Sequence, residues 1–279
     1  QSAGGMVNGI CGGMCTAVLN YGVERPENKC PIGRKLERDI WQKDGRTKKE
    51  EEEGNAMSFN IAIDGPAGAG KSTIAKKIAA ELSFIYVDTG AMYRAMGLLF
   101  LRKGIDPKDS AAIEAAALEA DVTIGYENGE QQVYLNGENV TASLRNEEVG
   151  NMASATSIYP GVRRQLTALQ KEMAANQDVV MDGRDIGTAV LPDAQLKIYL
   201  TASSHVRAVR RYEELKAKGI EGDLAVIEAD IIERDQRDMN REISPLRRAE
   251  DAVEVDSSNM TIEEVVETVQ RLCKERRGV

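Results

Sequence analysis

The chain is poor in the residues that carry several common chemistries: one histidine, one tryptophan, three phenylalanines and four cysteines among 279 residues. Cys11, Cys15 and Cys30 lie in the first 30 residues and only Cys273 follows, which excludes a disulfide framework for the main part of the chain. Cys11-x-x-x-Cys15 with Cys30 supplies three zinc ligands and lacks the fourth that a tetrahedral site requires, since His205 is far away in sequence. No metal is assigned there. His205 follows Ser203-Ser204 at a predicted helix start and reads as a solvated first-turn residue, not a catalytic base. No apolar run approaches the roughly 20 residues that span a bilayer, and no basic stretch leads into an apolar one at the start, so the expectation is a cytoplasmic protein. Positive charge is also short, with 36 basic against 45 acidic residues and a net charge of −9. That balance and the few aromatics argue against nucleic acid or anionic lipid as partner. The basic residues that remain are expected to converge on a local site.

What is present divides near residue 56. A Gly-rich opening, a polar stretch and the run Lys48-Lys49-Glu50-Glu51-Glu52-Glu53 precede it, and low aliphatic content predicts a poorly ordered extension without assigned activity over residues 1–56. That segment holds Trp41 and is charge-balanced, so the remainder carries the whole net charge. Met57 stands just before the first predicted strand, which makes 57–279 the expected catalytic unit.

Residues 61–73 read Ile-Ala-Ile-Asp-Gly-Pro-Ala-Gly-Ala-Gly-Lys-Ser-Thr, and Gly65 to Ser72 fit the phosphate-loop pattern G-x-x-x-x-G-K-S. In Gly65, Pro66, Ala67, Gly68, Ala69, Gly70, Lys71, Ser72 and Thr73 the chemistry follows from residue type. Glycines let backbone N–H groups curl around an anion, Lys71 reaches the outer phosphates, and the Ser72 hydroxyl can bind Mg²⁺. Phe59 to Ile63 reads as a buried strand, and Ile74, Ile78 and Leu82 mark one helix face, so the loop meets a helix N-terminus that favours phosphate. The chain is expected to bind a nucleoside triphosphate.

Further along, Phe84 to Val87 reads as a strand and Ala91 to Leu101 as a helix. Short β-prone pieces at Val122 to Tyr126, Gln132 to Leu135 and Val140-Thr141, separated by Asn128-Gly129 and Asn136-Gly137, predict an antiparallel insert at about 122–141. Helical periods return at Glu147 to Ile158 and Val162 to Ala175, with buried strands at Val179 to Asp182, Leu196 to Leu200 and Ala252 to Val255. Two charged helices, Val206 to Lys218 and Leu224 to Arg241, form an expected lid at about 206–241. Thr261-x-x-Glu264 is a capping-box signal for the last helix.

A phosphate loop alone does not choose the reaction. The guanine-reading string Asn-Lys-x-Asp is missing, and small-kinase chemistry fits best. The loop and three further stretches sharpen this together: Asp64-Gly65-Pro66-Ala67-Gly68-Ala69-Gly70-Lys71-Ser72-Thr73, Asp88-Thr89-Gly90-Ala91-Met92-Tyr93-Arg94, Asp182-Gly183-Arg184-Asp185-Ile186-Gly187-Thr188 and Glu233-Arg234-Asp235-Gln236-Arg237-Asp238-Met239-Asn240-Arg241. In order and spacing across 57–279 they resemble the bacterial cytidylate kinase family, with Thr89 where serine is often found. The resemblance implies an α/β three-layer phosphate-loop kinase fold, with a parallel five-stranded sheet, a small antiparallel β insert in the monophosphate-binding region and a helical lid.

It also implies roles. Lys71 and the loop amides would hold ATP phosphates, with Mg²⁺ as cofactor. Arg94, Arg184 and Arg241 would converge on the acceptor phosphate, with Arg234 near the ribose and phosphate, and arginine suits this through its bidentate fork. Asp185 and Arg163, helped by Ser154, would read cytosine. Asp238 would approach the sugar hydroxyls and Tyr93 would lie beside the nucleotide. Thr89 and Asp182 complete the expected substrate set, with Ser72 as the expected metal ligand; Asp182 is also the strand-ending acid that a motor-type or transport ATPase would need near Mg²⁺, but no further signature of those families is present. Tyr93 as plain core and Asp185 as a partner of Arg184 stay open at this point. Arg207, Arg210 and Arg211 share a lid-helix face and would reach ATP phosphates on closure, while Arg237 reads as a surface ion-pair residue. The resulting expectation is a monomeric enzyme that transfers the γ-phosphoryl of Mg-ATP to CMP or dCMP. Kinases of UMP or AMP, and a non-catalytic nucleotide-binding module, are the alternatives.

Overall fold

The computed structural model describes residues 58–278. The expectations for residues 1–56, including Cys11, Cys15, Cys30 and Trp41, lie outside the described residues. Strand β1 (Ile61–Asp64), helix α1 (Lys71–Leu82), β2 (Ile85–Asp88) and α2 (Thr89–Arg102) open the fold, followed by α3 (Ser110–Glu119). The insert contributes β3 (Val122–Glu127), β4 (Glu130–Leu135) and β5 (Glu138–Asn139), and helices α4 (Glu147–Thr156) and α5 (Pro160–Asn176) return the chain to the sheet. Strands β6 (Val179–Gly183) and β7 (Leu196–Thr201), lid helices α6 (Ser204–Ala217) and α7 (Leu224–Met239), β8 (Val253–Asp256) and α8 (Ile262–Arg277) complete it.

The five long-range strands form one parallel sheet in the order β2-β6-β1-β7-β8. Its strands are short and apolar because both faces are covered. Alternation sorts the side chains: Ala62, Val87, Val179 and Met181 face the core beneath α2, α4 and α5, whereas Ile61, Ile63, Val180, Ile198 and Leu200 face α1 and α8. Ile61, Ile63 and Met181 are wholly buried, and each such side chain contributes about 1.5–3 kcal/mol through removal from water. These are the three layers expected. Two glycines permit close approaches. A Cβ on Gly65, at φ 150°, would sit 1.9 Å from the Leu200 carbonyl oxygen, and one on Gly97 would meet the Ala153 nitrogen at 2.8 Å where α2 crosses α4.

Two local expectations need correction. Val140-Thr141 is not the third insert strand: pairing occurs two residues earlier, Tyr134 with Asn139 and Leu135 with Glu138. The Thr141 hydroxyl accepts from the Val133 N–H at 2.8 Å, replacing a backbone partner, and Thr141–Arg145 turns into a 3₁₀ helix. Helix α3 was not expected, because its Ala-rich sequence has little apolar periodicity. The Asp109 carboxylate caps it by accepting from Ala112 N–H at 3.0 Å. The capping box at the start of α8 is present, with Thr261 and Glu264 bonded reciprocally. Among the described residues no helix is long and apolar enough to cross a membrane.

Candidate active site

The phosphate loop runs from the end of β1 into α1, whose first turn begins after Gly70 in the left-handed conformation, at φ 88°. Lys71 is buried and donates from Nζ to the Pro66 carbonyl at 2.7 Å. Burial and the neighbouring Arg184 push its pKa down, with Asp182 and Asp64 opposing. Ser72 donates its hydroxyl to Asp182 Oδ2 at 2.9 Å, and the Tyr86 hydroxyl donates to Asp182 Oδ1 at 2.9 Å. Asp182, at the end of β6 beside β1, therefore faces the loop from the neighbouring strand. Burial raises its pKa, with Asp88 adding to the effect. Asp182 and Ser72 form the acid and hydroxyl expected at a metal position, and hard oxygens of this kind suit Mg²⁺. Among the described residues there is no cluster of three or more acids, histidines or cysteines to hold a metal alone.

A cavity of about 750 Å³ opens beyond the loop, and most of the expected site residues line it. Arg94 projects from α2 and pairs with Asp88 at 3.1 Å, leaving its buried Nε without a partner. Arg184 donates from Nε to Asp238 Oδ2 at 2.8 Å, and Arg241 holds Asp238 Oδ1. Arg234 lines the same wall, and its buried Nε also lacks a partner. Its pKa is lowered by burial and by Arg184. Both Nε atoms are closed off from solvent, so the remaining guanidinium N–H groups of these cavity-lining arginines are the ones that can meet anionic oxygens.

Arg163 and Asp185 form a buried ion pair at the far end. The Arg163 guanidinium lies 5.8 Å from the Tyr93 ring centre and donates to the Ser157 carbonyl at 3.4 Å. Tyr93 packs against the core and lines the cavity at once, and burial lifts its pKa to about 12. Asp185 is thus a partner of Arg163, not of Arg184. Ser154 lines the wall nearby.

The structure adds contacts to several of the expected residues. Thr89 is buried and donates to the Asp182 carbonyl at 2.7 Å, so its hydroxyl ties α2 to β6. Asp238 is buried with both oxygens held by arginines, so it braces Arg184 and Arg241. Burial works to raise its pKa, but Arg184 and Arg241 outweigh that and hold it below the usual range. Arg207 is not a free lid arginine: it donates to the Ala202 carbonyl at 2.8 Å and the Ala67 carbonyl at 2.9 Å and pairs with Asp235 at 2.6 Å, tying both lid helices to the phosphate loop. Arg210 donates to the Ser257 carbonyl at 2.7 Å and Arg211 pairs with Glu214 at 2.9 Å, while both still line the cavity. Gly65 and Pro66 lie behind the cavity wall, and Ala67 to Thr73 form it. Arg237 pairs with Glu233 at 3.6 Å on the surface, and His205 is exposed beside Glu228.

Two functional positions escaped the sequence reading. Asp64 is buried and accepts from the Ile186 and Gly187 N–H groups at 2.8 and 2.7 Å, fixing the turn that follows Asp185. Burial raises its pKa to about 6, against the opposing Gly187 and Ile186 bonds. Tyr86 is the other. A hydroxyl-bearing residue in an otherwise apolar strand was its only signal.

The family model for cytidylate kinase matches residues 61–275. The cytidylate kinase of Caldicellulosiruptor bescii is 51% identical over 214 residues, covering 77% of this chain and 95% of that protein. The cytidylate kinase of Bacillus licheniformis is 49% identical over 214 residues, covering 76% and 94%. A solved shikimate kinase from Acinetobacter baumannii, in complex with shikimate, is 16% identical with a TM-score of 0.41, covering 78% of this chain and 94% of that one. So slight a likeness carries no argument.

Proposed function

We propose the following division of labour for this chain, which belongs to the cytidylate kinase family and is an ATP-dependent kinase of CMP and dCMP. Lys71 and the amides of Ala67 to Thr73 hold the ATP phosphates. Ser72, backed by Asp182, holds Mg²⁺, which when bound neutralises charge on the phosphate oxygens. Arg94, Arg184, Arg234 and Arg241 receive the phosphate of the acceptor and the transferring phosphoryl group. Phosphoryl transfer is governed by positioning and by charge placed in advance, so arginines already braced by Asp88 and Asp238 lose little on reaction. The acceptor's phosphate oxygen is ionised near neutral pH and attacks without a protein base.

Base choice rests with Arg163 and Asp185. Cytosine presents an amine donor at N4 and acceptors at N3 and O2, which complement a carboxylate and a guanidinium respectively. Ser154 lines the same cavity and assists. Uracil reverses the pattern at positions 3 and 4 and would leave buried polar groups unpaired, a mismatch that excludes an analogue by roughly 10⁴-fold.

The single observation that carries this reading is one cavity walled by the phosphate loop, by Arg94, Arg184, Arg234 and Arg241, and by the Arg163–Asp185 pair. The catalytic unit is residues 57–279, acting as a cytoplasmic monomer, and residues 1–56 are dispensable. The test is ADP formation by the full chain and by 57–279, each offered CMP, dCMP, UMP and AMP with Mg²⁺. Equal turnover of CMP and UMP would overturn the base assignment, and loss of turnover in the shorter chain would overturn the domain assignment.

A further inference from the structure

We infer that Gln131, in the antiparallel insert, is a positioning residue that sets Arg94 by holding the backbone of Asp88. Strand β2 is the outer strand of the parallel sheet, so one of its edges has no strand beside it. The Ile85 N–H donates to the Asp178 carbonyl at 3.0 Å on the inner side, and by the two-residue alternation of a strand the peptide groups of Tyr86 and Asp88 face outward. The insert covers that edge with side chains in place of a strand. The Tyr126 hydroxyl donates to the Tyr86 carbonyl at 2.9 Å. The Gln131 amide satisfies both polar groups of the next outward residue: Oε1 accepts from Asp88 N–H at 2.8 Å and Nε2 donates to the Asp88 carbonyl at 3.2 Å.

Tyr126 and Gln131 stand directly opposite each other in the β3–β4 register, so the two anchors form one cross-strand pair on one face of the insert. Only a carboxamide meets the need at 131. A carboxylate lacks the donor for the Asp88 carbonyl, and a lysine lacks the acceptor for its N–H.

The consequence passes through Asp88. Its Oδ1 caps α2 by accepting from Ala91 N–H at 2.8 Å, and its Oδ2 holds Arg94 at 3.1 Å. Gln131 thereby fixes the residue that both starts the helix carrying Arg94 and aims the guanidinium. Tyr126 anchors the same insert to the same edge but touches neither Asp88 nor Arg94, which makes it the internal comparison.

The inference rests on the reading of Arg94 as an acceptor-phosphate residue, and the experiment separates the two. Steady-state kinetics of the full chain are measured for Gln131→Met, Tyr126→Phe and Arg94→Met, with thermal midpoints alongside. Gln131→Met keeps the length of the side chain and removes both bonds, so KM for CMP rises roughly tenfold while KM for ATP stays unchanged. Tyr126→Phe leaves KM for CMP near the parent's, because its hydroxyl meets the Tyr86 carbonyl and not Asp88. Equal rises in the two KM values, or the same CMP defect in Tyr126→Phe, would reduce Gln131 to general docking of the insert and overturn the inference. An unchanged CMP constant in Arg94→Met overturns the reading of Arg94 beneath it. A raised one there with no change in Gln131→Met overturns the Gln131 inference alone.

Discussion

Replacing Asp185 with alanine separates what the Arg163–Asp185 pair does for the fold from what it does for the substrate. The Arg163 and Asp185 side chains are only 8% and 7% exposed. Without the carboxylate, Arg163 keeps one long bond to the Ser157 carbonyl, at 3.4 Å, and the Tyr93 ring at 5.8 Å. Neither replaces a counter-charge. Breaking a buried pair from one side costs about 3–5 kcal/mol, and in a domain of this size each kcal/mol lowers the melting temperature by about 2–4 °C, so the expected fall is roughly 6–20 °C. The apolar double variant Arg163→Met with Asp185→Leu removes both charges at similar volume and is expected to melt near the parent or above it. Calorimetric melting of the parent, Arg163→Met, Asp185→Leu and the double, without nucleotide, closes the cycle, with Asp185→Ala melted alongside. CMP saturation gives the second readout: Asp185→Ala and the double variant both lose cytosine reading and raise KM for CMP, while only the double regains stability. A fall of less than about 2 °C in Asp185→Ala would refute the reasoning, as would a double variant no more stable than the sum of its parts.

Three other outcomes are expected. Tyr86→Phe removes a donor to a buried carboxylate, worth about 1.5–3 kcal/mol, and lowers ADP affinity in the presence of Mg²⁺ while leaving metal-free ADP affinity intact; an unchanged ratio between the two titrations defeats the idea that Tyr86 aims Asp182. Burial lifts Asp64 to about 6 from an ordinary 3.8, so the folded state holds its proton more tightly and the stability this gives, full below the ordinary value, is lost as pH rises through about 6. The size is about 3 kcal/mol, read as the change in unfolding free energy between acid and neutral pH in the parent minus that in Asp64→Asn, and identical pH slopes would discard it. Burial and Arg184 depress Lys71, whereas phosphate favours its charged form, so ADP binding at mildly alkaline pH should take up protons. Calorimetric binding heats that do not vary between buffers of different ionisation enthalpy would contradict this.

The phosphate loop, the strand and helix around it, and the three arginine-bearing stretches were legible because each is set by local rules: glycine conformations, apolar spacing, and charge at fixed intervals. Gly70 at the start of α1 and the Thr261–Glu264 capping box are such cases. What escaped depends on contacts distant in sequence. Thr89 and Asp238 line the cavity, but nothing local shows that Thr89 also meets the Asp182 carbonyl, 93 residues away, or that Asp238 meets Arg184, 54 residues away. Arg207 shares a helix face with Arg210 and Arg211, but only the folded lid brings it against Ala67, 140 residues earlier. Gln131 was invisible for the same reason, and Tyr86 showed only a hydroxyl in an otherwise apolar strand. Spacing shows which side chains share a face, not which backbone that face meets.

The charge of the cleft explains how an acidic protein handles two polyanions. Nine basic and five acidic residues line the cavity, whereas the chain as a whole carries −9. Crowding that many cations without relief would be costly, and the carboxylates are the relief: Asp88 braces Arg94, Asp185 braces Arg163, and Asp238 alone serves both Arg184 and Arg241. These four cations are thus held in place before any ligand arrives, which keeps reorganisation small when charge moves. The bracing is also incomplete in a useful way. Arg94 and Arg234 each retain an unpartnered Nε, and Lys71 meets only a neutral carbonyl. Lys71 is left to gain most from a phosphate, since a charged acceptor would replace a neutral one. Asp238 marks the limit of the scheme. One carboxylate between two guanidiniums is held below its ordinary pKa despite burial, so it stays ionised, and replacing it would free two arginines to repel each other where the transferring group must pass.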